Sequence, residues 1–300
     1  MATSNSMRLD PASQVRPGLG QRAGLWLARS WPLFALYAAL TFLMLWTVLP
    51  ILWAVSASLK QPLEVYESTS LLPKSFSLSS YWGVLTMDGF GRWLLNSTLV
   101  TTVATIVPLF LSILAAYAFA TYAFRFRHIL LFLFLAPRII PRVSLIVPLN
   151  DWLSQLGLLN TYWVLFITYT ASAIPLSTWI LTGFFAAVPR ELEESAVIDG
   201  ANLWQRLWYI MLPVAWPGVI TAAVLCIREA WNEFPFVLSF VNQTDMRTLP
   251  YQLYLLRDAM GIQDWALYNA FTIMSVLPLF VVYILLERRV VESLISGSIK

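Results

Sequence analysis

Residues 188–213 read V-P-R-E-L-E-E-S-A-V-I-D-G-A-N-L-W-Q-R-L-W-Y-I-M-L-P, between two long apolar runs. The stretch is too charged to lie in lipid, and it is built as a folded element. Pro189 suits a first helical turn, where its missing N–H would have no partner anyway. Glu191, Glu193 and Glu194 place negative charge near the positive end of that helix. Gly200 can take the left-handed conformation that stops a helix. Asn202 can cap a second helix, with Gln205 three residues on to complete a capping box. The spacing therefore predicts helix, glycine joint, helix, and a return to apolar chain after Pro213. A capped, charged hairpin between two membrane spans reads as a docking surface for a soluble partner.

The flanking sequence sets the class. Of 300 residues, 59% are hydrophobic and only 12% charged, with mean hydropathy +0.69. Soluble domains carry about 25% charged residues, so the chain is an all-α polytopic membrane protein. A span needs about 20 apolar residues, and by that ruler there are roughly six: 32–55, 93–120, 129–149, 162–185, 214–234 and 267–286. Residues 1–30 read as a polar, partly disordered cytoplasmic tail, and 31–300 as one transmembrane domain carrying the hairpin at about 188–213. Residues 56–92 and 235–266 read as polar loops.

Lysine and arginine placement orients the chain. With the N-terminus inside, the cytoplasmic side holds Arg8, Arg16, Arg22, Arg29, Arg125, Arg127, Arg190, Arg206, Arg288, Arg289 and Lys300. The outer side holds Lys60, Lys74, Arg92, Arg247 and Arg257. This asymmetry predicts both termini inside, and it puts the hairpin in the cytoplasm.

Ionisable residues within spans are costly and point to function or to pairing. Arg138 and Arg142 lie four apart in the third span, each after a proline. Arg228, Glu229, Asn232 and Glu233 lie in the fifth; on a continuous helix 229, 232 and 233 share a face, and 228 meets 232. Such a face is either a helix-to-helix clamp, for instance Arg142 with Glu229 or Glu233, or the wall of a hydrophilic pathway for hydroxyl-rich solutes.

Several classes are excluded. No phosphate-binding glycine loop occurs, so the chain binds no nucleotide in the Walker manner. The single Cys226 permits no internal disulfide, and the lone His128 has no cysteine or histidine nearby in sequence, so no metal or catalytic site is expected. So few charges leave nucleic acid an unlikely partner. Two rivals to a driven transporter subunit stand at this point: an ion-coupled secondary transporter using Glu229 and Glu233, and an intramembrane enzyme.

The letters of the hairpin narrow the choice. Glu194-Ser195-Ala196, Gly200 four residues after Ala196, then Ile210, Leu212 and Pro213 resemble the EAA motif of ABC importer permeases. Ser195 stands where that family usually has alanine. Ala230 to Phe234, A-W-N-E-F, resembles a fifth-span segment of the carbohydrate branch, the branch of the maltose importer's smaller permease; the start of the second span, Leu94 to Thr98, and the tail Ile295 to Lys300 fit the same branch. The resemblance implies a type I importer permease fold and a non-catalytic subunit of the bacterial inner membrane. It implies partners: a second homologous permease, two ATPase subunits that carry ATP and magnesium, and an extracytoplasmic solute-binding protein. It assigns ATPase coupling to Glu193, Glu194, Ser195, Ala196, Asp199 and Gly200. Arg138, Arg142, Arg228, Glu229, Asn232 and Glu233 are the expected substrate pathway, although Arg138 and Arg142 match no family motif.

Overall fold

The structure is a computed structural model that describes residues 19–259 and 264–298, with side chains for 31–257 and 264–286. Among the described residues there is no strand. Helix α1 covers Leu19–Ser58, and its part Trp31–Ser58 is long and apolar enough to cross a bilayer. Residues 1–18 lie outside the described residues, and 19–30 are the first turns of α1.

Three further helices are long and apolar enough to span: α2 (Phe90–Thr121), α5 (Tyr162–Ala186) and α9, which runs Trp265–Ser298 with its apolar part at Trp265–Leu286. The third and fifth expected spans are not straight rods. The third is broken into arms Arg127–Ile139 and Arg142–Gln155, which meet at 89°. We call its two α-helical parts α3 (Arg127–Leu135) and α4 (Ile146–Gln155). The cause is the pair of prolines. Ile140, held off the helical region by Pro141, is extended at ψ 125°, and Pro141 itself follows at ψ 128°. The chain crosses the break as two short 3-10 turns, Ala136–Ile139 and Arg142–Leu145.

The fifth span is helix α8 (Trp216–Trp231), bent by 79° from helix α7 (Leu203–Val214), the second arm of the hairpin. The first arm is α6 (Arg190–Ile198). Residues 206–211 of α7 form a π-helical turn. The expected loops also hold short helices, Glu64–Glu67, Ser79–Leu85, Pro235–Phe240 and Leu249–Ala259.

Small residues let these helices approach. Ala104, Ala116, Ala173, Ala222 and Ala270 are all buried. Lipid offers no hydrophobic drive between helices, so close van der Waals packing and hydrogen bonds hold them together. Gly218 is the tightest point: a Cβ there would sit 2.3 Å from Cγ of Phe184, so only glycine lets α8 reach α5. Ser112 Oγ donates to the carbonyl of Ile174 at 3.2 Å, tying α2 to α5. Trp231 Nε1 donates to the carbonyl of Ser275 at 3.1 Å, tying α8 to α9.

One apolar cluster fastens the hairpin end of the bundle. It joins Tyr117 of α2 and Phe185 of α5 to Leu207, Met211 and Leu212 of α7. At the opposite end, the segment 242–248 is stapled onto the start of α2. Asn96 Nδ2 donates to the carbonyls of Asp245 (2.7 Å) and Arg247 (2.8 Å), and its Oδ1 accepts from Tyr162 Oη at 2.8 Å. Ser97 Oγ accepts the Leu249 N–H at 2.8 Å. Lys60 is 1% exposed, with Nζ donating to the carbonyls of Ser68 (3.2 Å) and Ser70 (2.6 Å). These bonds give the loops at this end a fixed shape.

Candidate functional site

The hairpin folds as its sequence predicts, with one shift. Pro189 is the N-cap of α6 rather than its first residue. The far end of α6 closes by a Schellman arrangement: Ala201 N–H donates to Ala196 O at 2.9 Å and Gly200 N–H to Val197 O at 3.0 Å, with Gly200 left-handed at φ +81°. Asn202 and Gln205 form the capping box of α7, at 3.0 Å and 2.8 Å.

Glu193 does more than complement the helix dipole. Its Oε1 accepts from Tyr117 Oη at 2.5 Å and pairs with Arg206 at 3.3 Å, so one carboxylate joins α2, α6 and α7. Ala196 is buried one turn on. With these two residues turned inward, Glu194, Ser195, Asp199 and Gly200 are exposed, and Ile198 is 86% exposed. Ser195 Oγ returns to the carbonyl of Glu191 at 2.7 Å, within its own helix. A Cβ on Gly200 would meet nothing within 4 Å, so the space outside the joint is open. Of the two tryptophans of α7, Trp208 stacks on Phe110 of α2 while Trp204 is exposed. Beside the hairpin, a cavity of about 370 Å³ is lined by Arg127, His128, Arg190 and Glu194 among others.

The second set of residues gathers where the broken span meets α8. Arg138 Nη2 donates to both oxygens of Glu229 at 3.3 and 3.1 Å, and its Nη1 to the carbonyl of Ser172 at 3.1 Å. Arg142 pairs with the same carboxylate of Glu229. All three side chains are partly buried. The proline break makes this possible, because the 3-10 turns that carry the two arginines bring both to one acceptor. They line, with Arg228 and Asn232, a cavity of about 510 Å³.

One expectation is corrected here, and one of two alternatives is selected. Helix α8 ends at Trp231, so Glu229, Asn232 and Glu233 do not share a helical face. Asn232 folds back, its Nδ2 donating to the carbonyl of Arg228 at 2.8 Å, and it is exposed. Glu233 lines the same cavity but is largely buried. It is 5% exposed, accepts from Tyr169 Oη at 2.5 Å, and caps the next short helix through the Phe236 N–H at 2.9 Å. Among the described residues it makes no ion pair, so Arg142 clamps to Glu229 and not to Glu233. Tyr117, Tyr169 and Ser172, which hold the acidic and basic groups, were not legible as site residues. An uncharged residue in an apolar span carries no signal until a partner faces it. Among the described residues no group of histidine, cysteine and carboxylate side chains could hold a metal ion.

Comparison with known proteins agrees with this architecture. The family model described as "Binding-protein-dependent transport system inner membrane component" matches residues 108–292. The chain is 31% identical over 265 residues to the sulfoquinovosyl glycerol transport system permease protein SmoH of Agrobacterium fabrum, covering 88% of this chain and 93% of that protein. It is 32% identical over 260 residues to the trehalose/maltose transport system permease protein MalG of Thermococcus litoralis, covering 84% and 91%. Among solved structures, a chain of a bacterial ABC transporter involved in the import of the acidic polysaccharide alginate shares the fold at TM-score 0.72 and 21% identity, over 91% of this chain and 99% of that one. A bent third span, a helical hairpin between two spans and these matches lead to one conclusion: the chain belongs to the family of binding-protein-dependent transport system inner membrane components, the non-catalytic permease subunits of ABC transporters.

Proposed function

We propose that this chain is one transmembrane half of an ATP-driven, binding-protein-dependent importer for a sugar or sugar-like solute. The half-pore is completed by a second homologous permease. Two ATPase subunits hold ATP and magnesium, and a solute-binding protein delivers the cargo from outside. The membrane is the bacterial cytoplasmic membrane, with both termini inside. Relatives named for trehalose/maltose and for sulfoquinovosyl glycerol transport support the solute class.

The observation that carries the reading is the division of the hairpin into an inward and an outward face. Glu193 and Ala196 anchor it to the bundle, and Glu194, Ser195, Asp199 and Gly200 are left outside beside a bare Ile198. A soluble subunit seated there would move α6, and α6 is tied through Glu193 to α2 and α7. ATPase closure would thereby reach the transmembrane helices. The cavity lined by Arg138, Arg142, Arg228, Glu229, Asn232 and Glu233 is the proposed substrate pathway, with Glu233 held in place by Tyr169.

Gly200→Glu tests the docking. The side chain would enter open space, at a cost of about 1 kcal/mol for the left-handed backbone, which the hairpin should survive. Purified with its partners, the variant should assemble yet lose solute-stimulated ATP hydrolysis and transport together. Full stimulated hydrolysis in an assembled Gly200→Glu complex would overturn the docking role.

A further inference from the structure

We infer that the solute pathway in this subunit is selective for anionic saccharides, that is, sugars bearing a carboxylate, sulfonate or phosphate group. This rests on the sugar-importer reading above and narrows its substrate class.

The argument is one of charge and placement. Three arginines, Arg138, Arg142 and Arg228, line the cavity of about 510 Å³. Two of them share a single counter-charge, the carboxylate of Glu229. Arg228 is exposed and makes no ion pair among the described residues. The other carboxylate on that wall, Glu233, also lines the cavity, but it is 5% exposed and accepts from Tyr169 Oη at 2.5 Å and the Phe236 N–H at 2.9 Å. The cavity wall therefore carries three guanidinium groups against two carboxylates, an excess of one positive charge.

An uncompensated cation at membrane depth is costly, and it is met by a counter-charge or by cargo. Clamping helices together would need only one arginine for Glu229. Three guanidiniums lining one cavity instead offer a set of forked donors, the chemistry that suits planar or tetrahedral oxyanions. The volume lies within the range of small-ligand sites, about 300–1,000 Å³, and admits a sugar of one or two rings. Asn232, exposed on the same wall, supplies a donor and acceptor for hydroxyl groups. Arg228 is the group that decides the matter, because Arg138 and Arg142 also hold the broken span in place.

The test uses the whole transporter in proteoliposomes loaded with ATP, with its solute-binding protein outside. Uptake is measured for matched pairs: galactobiose and digalacturonate, glucose and glucuronate, glucose and glucose 6-sulfate. At least one anion should enter about tenfold faster than its neutral match. Arg228→Gln should then raise the KM for that anion about tenfold, the scale of a charge-assisted hydrogen bond, and Arg228→Lys should restore most of the loss. Uptake confined to the neutral members would overturn this inference and leave the sugar-importer reading standing. No uptake of any saccharide would overturn both. Equal losses for anion and neutral sugar in Arg228→Gln would overturn it as well, assigning Arg228 to neutralising a carboxylate of the second permease.

Discussion

Tyr117 Oη, near the end of α2, donates to Glu193 Oε1 at 2.5 Å across to the first helix of the hairpin. Glu193 also pairs with Arg206 at 3.3 Å, so α2 and both arms of the hairpin meet on one carboxylate. A rigid joint of this kind is what a device needs if a push on α6 is to move a transmembrane helix.

Tyr117→Phe should therefore loosen the hairpin without unfolding it. A hydrogen bond to a charged group contributes about 1.5–3 kcal/mol, and Arg206 still holds Glu193 in the variant. The amides of Ala201 and Gly200, which close α6, should exchange hydrogen faster, and transport per ATP hydrolysed should fall. Glu193→Ala should be worse, because it leaves Arg206 without its partner in a half-buried setting. Unchanged exchange at Ala201 in both variants would show that the joint is not held at Glu193.

Asn232 and Glu233 are neighbours in sequence and should behave as opposites. Among the described residues the Asn232 side chain bonds only to the Arg228 carbonyl, and it is exposed, so Asn232→Leu should assemble normally and show a partial transport defect. Glu233→Ala strips Tyr169 Oη and the Phe236 N–H of their acceptor inside the protein. Each orphaned donor costs about 1–3 kcal/mol, so complex yield and Tm should drop. Tyr169→Phe should reproduce a smaller form of the same defect, and Arg142 substitutions should not rescue it. A Glu233→Ala complex with the parent's Tm would exclude this anchoring role.

Sidedness can be read with cysteines on a Cys226→Ser background, since Cys226 is buried beside Ser177 at 3.1 Å and serine conserves that contact. Glu67 and Gln243 are exposed at one end of the bundle, and Glu194 on the hairpin at the other. An impermeant thiol reagent added outside intact cells should label positions 67 and 243 and spare 194. Glu64 would be a poor choice, because it is buried. Labelling at 194 from outside would reverse the orientation and remove the ATPase argument with it.

Glu64 itself predicts an acid sensitivity of the loop that carries it. Its carboxylate accepts the Lys74 N–H at 2.5 Å, and that bond holds it below the usual carboxylate range, with help from the Ser75 N–H and the Lys60 charge against the opposing effect of burial. A folded pKa below the unfolded one contributes stability that is present above the unfolded value, about 4.3, and is lost as pH falls through the folded value. The parent should thus melt above Glu64→Gln at neutral pH, and the gap should close in acid, below that ordinary value. A gap that persists undiminished well below the ordinary value would show that the carboxylate charge is not what holds the loop.

Local chemistry was enough to read much of this protein from the chain. The hairpin could be read in detail, because proline, glycine, Asn202 and Gln205 act on the backbone within three or four residues of themselves. The long apolar helices could be read because a bilayer imposes a length. The prolines at 137 and 141 were visible too, but the right angle they produce was not drawn from them; a proline marks where a helix is weak, and packing decides how far it bends. Pairing was beyond reach for the same reason. Arg138, Arg142, Glu229 and Glu233 could be picked out as expensive charges in spans, yet which carboxylate served which partner depended on where α8 ended. Its end at Trp231 turned Glu233 inward to Tyr169 and left Glu229 to both arginines. Sequence determines the cost of each buried group; only the assembled helices determine which group offsets it.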